Sequence, residues 1–301
     1  MSAPVWRRIA SGRLIIAVVW SAAACAETRN QVPAPGPRRV VSLVPSVTEL
    51  IVALGAGHRL VGRTRFDTDP RLAELPSVGG TADPSIEAIV ALEPDLVLMW
   101  RDSTAPRVAG ALDRTGIPVH GVSTWTLPDL RATIADLGRL FAVARAADSL
   151  VQTIDDSLAA VRASAAGARR VRVLYLLSER PLMTIGAGTF IDEVIDIAGG
   201  QNIFHDRRDA WPIVNMEEVL RRDPEVIIVP AYGDDPRPAD RLSRAAGWEL
   251  TTAARSGRVL SVPADLFDRP GPRIVVAART LATMLRQSRA DTSAAAGPPV
   301  P

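Results

Sequence analysis

Short apolar runs alternate along the chain with longer segments whose apolar residues recur every three or four positions. The short runs predict buried strands and the longer segments predict amphipathic helices, a succession typical of parallel α/β folds. The predicted strands are Arg39–Val44, Leu60–Arg63, Asp95–Trp100, Val119–Val122, Val171–Leu177, Val226–Val229 and Val259–Val262. The predicted helices are Val47–Leu54, Ile86–Leu92, Val108–Thr115, Asp129–Phe141, Met216–Arg222 and Pro272–Arg286.

One further segment, near the middle of the chain, predicts a single long helix. Residues 144–166 contain no proline or glycine, and Leu150, Ile154, Leu158 and Val161 fall on one helical face. At about 1.5 Å per residue, such a helix is roughly 30 Å long. A plain surface helix has the same pattern, but the central position favours a linking helix, residues 144–167, between two lobes.

Internal repeats support two lobes of similar structure. The matching pairs are Ser85–Val90 with Asn215–Leu220 and Pro94–Leu98 with Pro224–Ile228, both 130 positions apart, and Thr48–Gly55 with Asp192–Gly199, 144 positions apart. Each pair has the same arrangement of a capping residue, a helix and a following turn or strand. We therefore predict an α/β protein of two pseudo-symmetric lobes with parallel sheets, residues 38–143 and residues 168–288, joined by the long helix.

The first 24 residues have the pattern of a secretory signal peptide. Residues 7–13 contain three arginines and precede an apolar stretch, residues 14–20, and small residues follow up to Cys25. The apolar stretch is too short to span a bilayer. The Ala-Ala-Cys ending resembles a bacterial lipobox, in which the cysteine carries lipid, although Ala22 stands where such motifs have leucine. An ordinary cleaved signal with an incidental cysteine is the alternative.

Two other segments near the ends of the chain predict no regular structure. Residues 25–37 contain three prolines and one glycine, and we interpret them as a lipid-anchored tether. Residues 289–301 are rich in small residues and proline, and we interpret them as a disordered tail.

The charge of the chain changes once the signal segment is removed. The 301 residues include 35 basic residues, all of them arginine, and 33 acidic residues, which gives a net charge of +2. Residues 1–24 contain three arginines and no acid, so the mature chain carries a net charge of −1. This argues against a nucleic-acid partner, which requires a basic face. The single cysteine excludes an intramolecular disulfide and a zinc site built on cysteines.

The sequence contains no convincing catalytic or metal-binding arrangement. No serine lies in the G-x-S-x-G elbow of hydrolases. The histidines His58, His120 and His205 are scattered among predicted turns and strand ends, whereas a metal site needs converging ligands. Residues 186–188 (GAG) lack the context of a dinucleotide-binding motif and predict a tight turn before a helix at Phe190. We therefore expect no enzyme activity, no cofactor and no bound metal.

Six motifs occur in the same order as in one known family. They are residues 39–50 (RVVSLVPSVTEL), 54–57 (LGAG), 86–98 (IEAIVALEPDLVL), 186–194 (GAGTFIDEV), 198–204 (AGGQNIF) and 269–274 (RPGPRI). Over residues 38–287 the chain resembles the helical-backbone periplasmic binding proteins of ABC importers, and especially their cobalamin-binding members. The wider family also carries ferric siderophores, haem and metal ions. The resemblance implies two lobes joined by one rigid helix, with ligand in the cleft between them.

The resemblance also implies roles for particular residues. Glu87 and Glu217, near the starts of matching helices, are implied to dock on the two halves of a permease dimer. The alternative is that each stabilises a helix dipole, worth about 0.3–1 kcal/mol.

The residues predicted to bind ligand are Pro45, Ser46, Phe66, Trp100, Arg101, Trp211, Asp265, Phe267 and Arg269. Trp100 and Trp211 lie at the ends of predicted elements, where clefts form in α/β folds. Pro45 and Ser46 form the first strand-to-helix turn, whose backbone N–H groups can face the cleft. The resemblance implies an aromatic residue at the position of Phe66.

Some of the predicted ligand contacts have an alternative interpretation. The rigid aromatic rings suit the wide apolar faces of a corrinoid, but tryptophan also packs in protein cores. Phe66 and Phe267 are predicted to lie in similar loops. Asp265 and Arg269 are either a structural ion pair or polar contacts to the side arms of a ligand. Leu266 stands where the family often has tryptophan.

Together these observations predict an extracytoplasmic receptor in the periplasm or at the cell surface. It delivers cobalamin or a related corrinoid to an ABC permease dimer and its ATPase, as a monomer held to a membrane by lipid on Cys25. A ferric siderophore or haem receptor is the alternative within the family, and Arg63, Arg65 and Arg101 would then meet an anionic siderophore. The alternatives from other classes are an extracellular enzyme and a sensing or interaction protein that takes no part in transport.

Overall fold

The strands form two separate sheets, one in each half of the sequence. The computed structural model describes residues 36–101, 106–233 and 238–295. The predicted signal peptide, Cys25 and all but the last two residues of the predicted tether lie outside these ranges.

The first sheet consists of four parallel strands. They are β1 (Val40–Ser42), β2 (Leu60–Gly62), β3 (Leu96–Trp100) and β4 (Val119–Val122), in the spatial order β2-β1-β3-β4. Val40 pairs with Leu60 on one side and with Leu96 on the other. Each strand lies where the sequence predicted one. Because the strands are parallel, their carboxyl ends meet at one edge of the sheet, where ligands bind in such folds.

The second sheet repeats this arrangement and adds one antiparallel strand. Its strands are β5 (Val171–Glu179), β6 (Leu182–Thr184), β7 (Gly200–Asn202), β8 (Val226–Ala231) and β9 (Val259–Pro263). Four of them are parallel in the order β7-β5-β8-β9, which matches β2-β1-β3-β4 strand for strand. The antiparallel β6 pairs with β5. The two predicted pseudo-symmetric lobes are therefore confirmed.

Helices connect the strands and cover both sheets. They are α1 (Pro45–Ala53), α2 (Ile86–Ala91), α3 (Pro106–Asp113), α4 (Leu127–Leu140), α5 (Ala144–Ala165), α6 (Phe190–Ile197), α7 (Met216–Arg222), α8 (Pro238–Ser243), α9 (Thr252–Arg255), α10 (Ala264–Phe267) and α11 (Ile274–Ala295). Ser85, Thr126, Thr189 and Asn215 cap four of them, since each side chain accepts a hydrogen bond from the backbone N–H three residues later. Short 3₁₀ turns occupy Gly57–Arg59, Pro70–Leu72 and Trp248–Leu250.

The long helix α5 links the lobes as predicted. Its buried residues include Ile154, Leu158 and Val161, three of the four residues on the predicted face, and the fourth, Leu150, is partly buried against the same core. The helix packs against α4 of the first lobe and against α6 and α11 of the second. A helix held along its length by both lobes restricts their relative movement.

Alternate residues of the central strands β3 and β8 face two different apolar clusters. In β3, Leu96 and Leu98 belong to a large cluster that also contains residues of the second lobe, and Val97 belongs to a cluster on the outer face of the first sheet. In β8, Ile228 faces the same large cluster and Ile227 faces an outer cluster of the second lobe. Covered on both faces, β3 and β8 are continuously apolar, as buried parallel strands are. The inner faces of both sheets thus share one core.

Two sequence predictions about elements need correction. The strands β6 and β7, three residues each, were not predicted. Residues 289–295 were predicted to begin a disordered tail, but α11 continues to Ala295. The reason lies in packing, because Ser288 is buried and the Arg289 guanidinium donates hydrogen bonds to the carbonyl oxygens of Arg169 (3.4 Å) and Gly199 (3.5 Å). Within the described ranges, no helix is both long enough and apolar enough to cross a membrane.

Candidate functional site

Three tryptophans form a cluster to which both lobes contribute. Trp100 ends β3, Trp125 follows β4, and Trp211 lies in the loop before α7. The rings of Trp100 and Trp125 are stacked, with centroids 5.0 Å apart and planes at 21°. Trp211, from the second lobe, meets Trp125 edge-on at 5.7 Å and 64°. The structure thus brings the predicted Trp100 and Trp211 together through Trp125, which the sequence analysis did not identify.

Backbone hydrogen bonds hold the loop that carries Trp211. The N–H of Gly186 donates to the carbonyl of Ala210 (3.0 Å), and the N–H of Thr184 donates to the carbonyl of Pro212 (3.1 Å). A Cβ atom at Gly186 would lie 2.0 Å from the carbonyl oxygen of Asp209, so only glycine permits this approach. The predicted turn at residues 186–188 therefore also positions Trp211.

The lobes are joined at one contact immediately beside these rings. The N–H of Phe190, in the second lobe, donates to the carbonyl of Trp125 (2.8 Å). The N–H of Leu127, the first residue of α4, donates to the carboxylate of Glu193 on α6 (2.7 Å). Burial raises the pKa of the Glu193 carboxyl above its ordinary value, and the hydrogen bond from Leu127 offsets part of that rise.

A second contact between the lobes is an ion-pair cluster. The carboxylate of Glu49 on α1 accepts two hydrogen bonds from the Arg273 guanidinium, 2.9 Å from Nε and 2.7 Å from Nη2. Nη1 of Arg269 lies 3.9 Å from the same carboxylate. Asp265 pairs with Arg273 at 3.3 Å. Asp265 and Arg269 are thus engaged in one network through Glu49 and Arg273, neither of which was predicted.

A charged cavity of about 680 Å³ adjoins this second contact. It is lined by Glu49, Ala53, Thr68, Asp69, Pro70, Arg71, Asp265, Pro272 and Arg273. Of the residues predicted to bind ligand, only Asp265 lines it. The acids that line it are paired with arginines, because Asp69 bonds Arg71 at 2.7 Å and the other two acids bond Arg273. The cavity therefore presents balanced charges and lacks the aromatic surface of the tryptophan cluster.

Two tyrosines share one carboxylate in the second lobe. The buried Tyr175 hydroxyl donates to one oxygen of Asp268 at 2.5 Å, and the Tyr232 hydroxyl donates to the other. Burial raises the pKa of Asp268, although the two phenol donors lower it in part. Burial and the Asp268 carboxylate together raise the pKa of both tyrosines. Tyr232 directly follows β8, and 55% of it is exposed.

The other predicted ligand-binding residues lie in different environments. Phe66 is 43% exposed, with the Arg65 guanidinium 4.9 Å from its ring centroid. Arg101 is exposed and follows Trp100, and its backbone N–H donates to Val122. Pro45 is partly buried and is the first residue of α1.

Phe267 does not lie where it was predicted, whereas Ser46 lies at the predicted turn from β1 into α1 with its side chain buried. Ser46 is 2% exposed, and its carbonyl oxygen abuts Gly271 of the other lobe. Phe267 was predicted to lie in a loop, but it ends α10 and is 3% exposed within the shared core. Packing against long-range partners buries both side chains. The prediction for Ser46 rests on the backbone N–H groups of its turn, so it stays a prediction.

The two predicted docking glutamates occupy equivalent exposed positions. Glu87 is the second residue of α2 and Glu217 is the second residue of α7, and the caps Ser85 and Asn215 precede them at the same spacing. Arg221 lies 4.0 Å from Glu217, whose side chain is 89% exposed. Each lobe thus presents one accessible carboxylate at the start of a matching helix.

Two of the three histidines pair with carboxylates, at separate places in the fold. Nε2 of His120 lies 2.5 Å from Asp136, and Nδ1 of His205 lies 2.9 Å from Asp192. No group of three or more histidine, cysteine, aspartate or glutamate side chains is arranged to hold a metal ion in the part of the chain that the structure describes. His120 and His205 therefore each form an ion pair or hydrogen bond with a single aspartate.

Comparisons with known proteins point to one group. A family profile described as "Periplasmic binding protein" matches residues 40–266. A vitamin B12-binding protein of Salmonella typhimurium is 34% identical over 255 residues, 83% of this chain and 90% of that protein. The solved structure of the periplasmic vitamin B12 binding protein of Vibrio cholerae is 29% identical, has a TM-score of 0.72, and covers 84% of this chain and 98% of its own. The periplasmic haem-binding protein of Roseiflexus is 26% identical, has a TM-score of 0.76, and covers 84% and 99%.

Proposed function

The chain belongs to the periplasmic binding protein family, and from this premise we propose that it carries cobalamin or a related corrinoid to an ABC importer. The family resemblance inferred from the motifs is thereby confirmed. The ligand is proposed to bind in the cleft where the two lobes meet. The observation that carries this proposal is the tryptophan cluster, because it places apolar ring surface from both lobes at one point.

The chemistry of a corrinoid suits such a cluster. A corrin ring is wide, flat and largely apolar, and it carries amide side arms at its edge. Indole rings offer large rigid surfaces at a low cost in conformational entropy. The sequence relative and the solved structure named above as vitamin B12-binding proteins favour this ligand over others of similar shape. Asp265 and Arg269 are proposed to contact the polar side arms, from their places in the ion-pair cluster.

Haem is the second candidate ligand, since a porphyrin has the same flat apolar face. A solved relative that binds haem supports it. The siderophore alternative is weaker, because Arg63 already donates to the carbonyl oxygens of Leu72 (2.9 Å) and Thr64 (3.2 Å). Arg65 is likewise paired, with Asp83 at 3.0 Å. Neither guanidinium is free of partners for an anionic ligand. Arg101, the third arginine of this alternative, is exposed, so the alternative stays open on that residue.

Calorimetry of the purified mature protein tests the ligand directly. We expect cyanocobalamin and cobinamide to bind with a dissociation constant well below about 10 µM, and haemin and ferric siderophores to bind at least tenfold more weakly. If haemin binds more tightly than both corrinoids, the transported ligand is haem and the corrinoid proposal is wrong. The absence of corrinoid binding below that concentration would refute the proposal.

We infer that the partner surface is formed by Glu87 and Glu217, one carboxylate from each lobe. Two equivalent exposed acids suit a partner that presents the same basic site twice, as a permease dimer does. The Glu87→Ala/Glu217→Ala double variant should abolish corrinoid uptake by cells yet leave corrinoid affinity unchanged. The control is Asp148→Ala/Asp156→Ala, which removes two exposed acids of the linking helix. Normal uptake by the first variant, or equal loss in the control, would exclude this docking surface.

We further propose that lipid on Cys25 holds the mature monomer at a membrane outside the cytoplasm. The support is the sequence pattern of residues 1–25. Mass spectrometry of the membrane fraction tests it, because a lipid-modified mature chain begins at Cys25 with added acyl mass, and Cys25→Ala should release the protein. An unmodified mature terminus would contradict the anchor.

A further inference from the structure

The indole ring of Trp125 contacts a tryptophan of each lobe. It stacks on Trp100 of its own lobe and receives the edge of Trp211 from the other lobe. Even so, 36% of Trp125 is exposed. An apolar ring of this size, exposed beside two others, offers surface that a flat apolar ligand would cover.

The backbone on either side of this ring belongs to the contact between the lobes. The carbonyl of Trp125 accepts the N–H of Phe190 at 2.8 Å. Two residues later, the N–H of Leu127 donates to Glu193 at 2.7 Å. Between them, Thr126 caps α4 by accepting the N–H of Asp129 at 3.0 Å. The segment 125–127 is therefore anchored both to its own helix and to the second lobe.

We propose that Trp125 is a ligand-binding residue and that residues 125–127 connect ligand contact to the contact between the lobes. The inference rests on the proposed function. A tryptophan side chain has only two rotatable bonds, so a ligand that fixes the ring also restrains the backbone of Trp125. That restraint strengthens the hydrogen bonds to Phe190 and Glu193. Because coupling is reciprocal, weakening the contact at Glu193 must in turn weaken ligand binding.

A double-mutant cycle on the dissociation rate of cyanocobalamin tests this connection. Trp125→Ala should speed dissociation of cyanocobalamin about tenfold, the loss expected for one stacked ring. Glu193→Ala removes the carboxylate that accepts the N–H of Leu127, and it should speed dissociation about threefold. The double variant should dissociate more slowly than the product of the two single effects, since both act through one segment.

The matched control is Asp196→Asn, three residues along the same helix. Its carboxylate pairs with Arg162 (2.8 Å) and Arg170 (2.5 Å), and neither arginine lies on α4. This variant should dissociate like the wild type. Circular dichroism melts verify that each variant folds. If Trp125→Ala does not fold, Trp125→Phe replaces it and should give an intermediate rate.

The outcomes separate this inference from the proposed function. Wild-type protein that binds cobalamin, with Trp125 variants of unchanged affinity, would overturn the inference and leave the function in place. The same holds if the effects of Trp125→Ala and Glu193→Ala simply multiply. Wild-type protein that binds no corrinoid would overturn the function and the inference together.

Discussion

Two acidic residues at equivalent positions of the repeat hold the first strand of each sheet to its neighbour. The Asp95 carboxylate accepts the backbone N–H of Arg39 at 3.0 Å. The Glu225 carboxylate, 130 positions later, accepts the N–H of Arg172 at 3.0 Å and pairs with Arg169 at 2.8 Å. A second hydrogen bond runs in the opposite direction in both lobes. The backbone N–H of Asp95 donates to the carbonyl of Arg39, and the backbone N–H of Glu225 donates to the carbonyl of Arg172. One local arrangement thus serves both sheets.

Glu225→Gln should destabilise the protein in a pH-dependent way. Burial raises the pKa of Glu225, but the hydrogen bonds from Arg169 and Arg172 outweigh it and leave the pKa below its ordinary value. Glu225 therefore stabilises the fold above the pKa of the unfolded state, about 4.3, and this contribution disappears as the pH falls through the native pKa. We expect the variant to melt about 2–6 °C lower at pH 7.

Thermal melts or urea titrations at pH 7 and at pH 3.5 measure this effect. The difference between variant and wild type should shrink at the lower pH, because pH 3.5 lies below the unfolded-state pKa of about 4.3, where the stabilisation that depends on the Glu225 charge begins to be lost. Glu74→Gln, at an exposed acid, is the control. A difference of the same size at both pH values would show that the charge of Glu225 is not the cause.

Some site residues were predictable from the sequence and others were not. The position of Trp100 at a strand end identified it, and the same argument applies to Trp125 and Tyr232, which follow β4 and β8. The burial of Ser46 and Phe267 was not predictable. It depends on contacts between residues far apart in the chain, such as Ser46 with Gly271, that no local pattern reports.

At the scale of elements, the equivalent helices α1 and α6 each contribute one acid to the other lobe. Glu49 on α1 binds Arg273, which immediately precedes α11. Glu193 on α6 binds the N–H of Leu127, which begins α4. Glu49 and Glu193 match in the internal repeat, 144 positions apart. Each of these two acids therefore binds at the start of a long helix of the other lobe, α11 for Glu49 and α4 for Glu193. Equivalent positions of the repeat thus make equivalent contacts between the lobes.

Glu49 and Arg273 should prove energetically coupled. Their two parallel hydrogen bonds are charge-assisted, and Glu49 is largely buried, with 14% of its side chain exposed. We expect Glu49→Gln and Arg273→Met each to lower the melting temperature, and the double variant to melt higher than the sum of the two losses predicts. A coupling free energy of about 1 kcal/mol is expected. Additive losses would show that the pair does not stabilise the interlobe contact.

The elements that were predicted correctly share a physical origin. The seven predicted strands are built on short apolar runs, and the central strands β3 and β8 are buried along most of their length, so the local sequence alone predicts them. The strands β6 and β7 contain only three residues each, and β7 (Gly200–Asn202) is largely polar. They are strands because their backbones form hydrogen bonds with β5. Likewise, residues 289–295 are helical because Arg289 finds carbonyl acceptors in the second lobe.

At the scale of the whole molecule, one core extends through both lobes. It contains Leu98 from the first sheet, Ile228 from the second, and Ile154 from the linking helix, among many others. The motifs predicted two lobes and a linking helix, but not that the inner faces would share a core. That result depends on which sides of α4, α5 and α11 meet, which a sequence pattern does not specify.

The protein should therefore unfold in a single transition although it has two lobes. In urea, far-ultraviolet circular dichroism and tryptophan fluorescence should give coincident curves with one midpoint. Saturating corrinoid should raise that midpoint, because ligand binds only the folded state. Two separate midpoints would indicate that the lobes unfold independently and that the common core contributes little to their cohesion.

Because the two halves share one core, the peptide chain that connects them is not needed to hold them together once they have folded. Only residues 166–170 separate the end of α5 from the start of β5. Cleaving the chain there removes one peptide bond but leaves the complementary apolar faces of both fragments intact. The halves should remain associated as a noncovalent pair and should reassemble when produced as separate polypeptides. The continuity of the chain, in other words, serves to bring the two halves together during folding more than to keep them together afterwards.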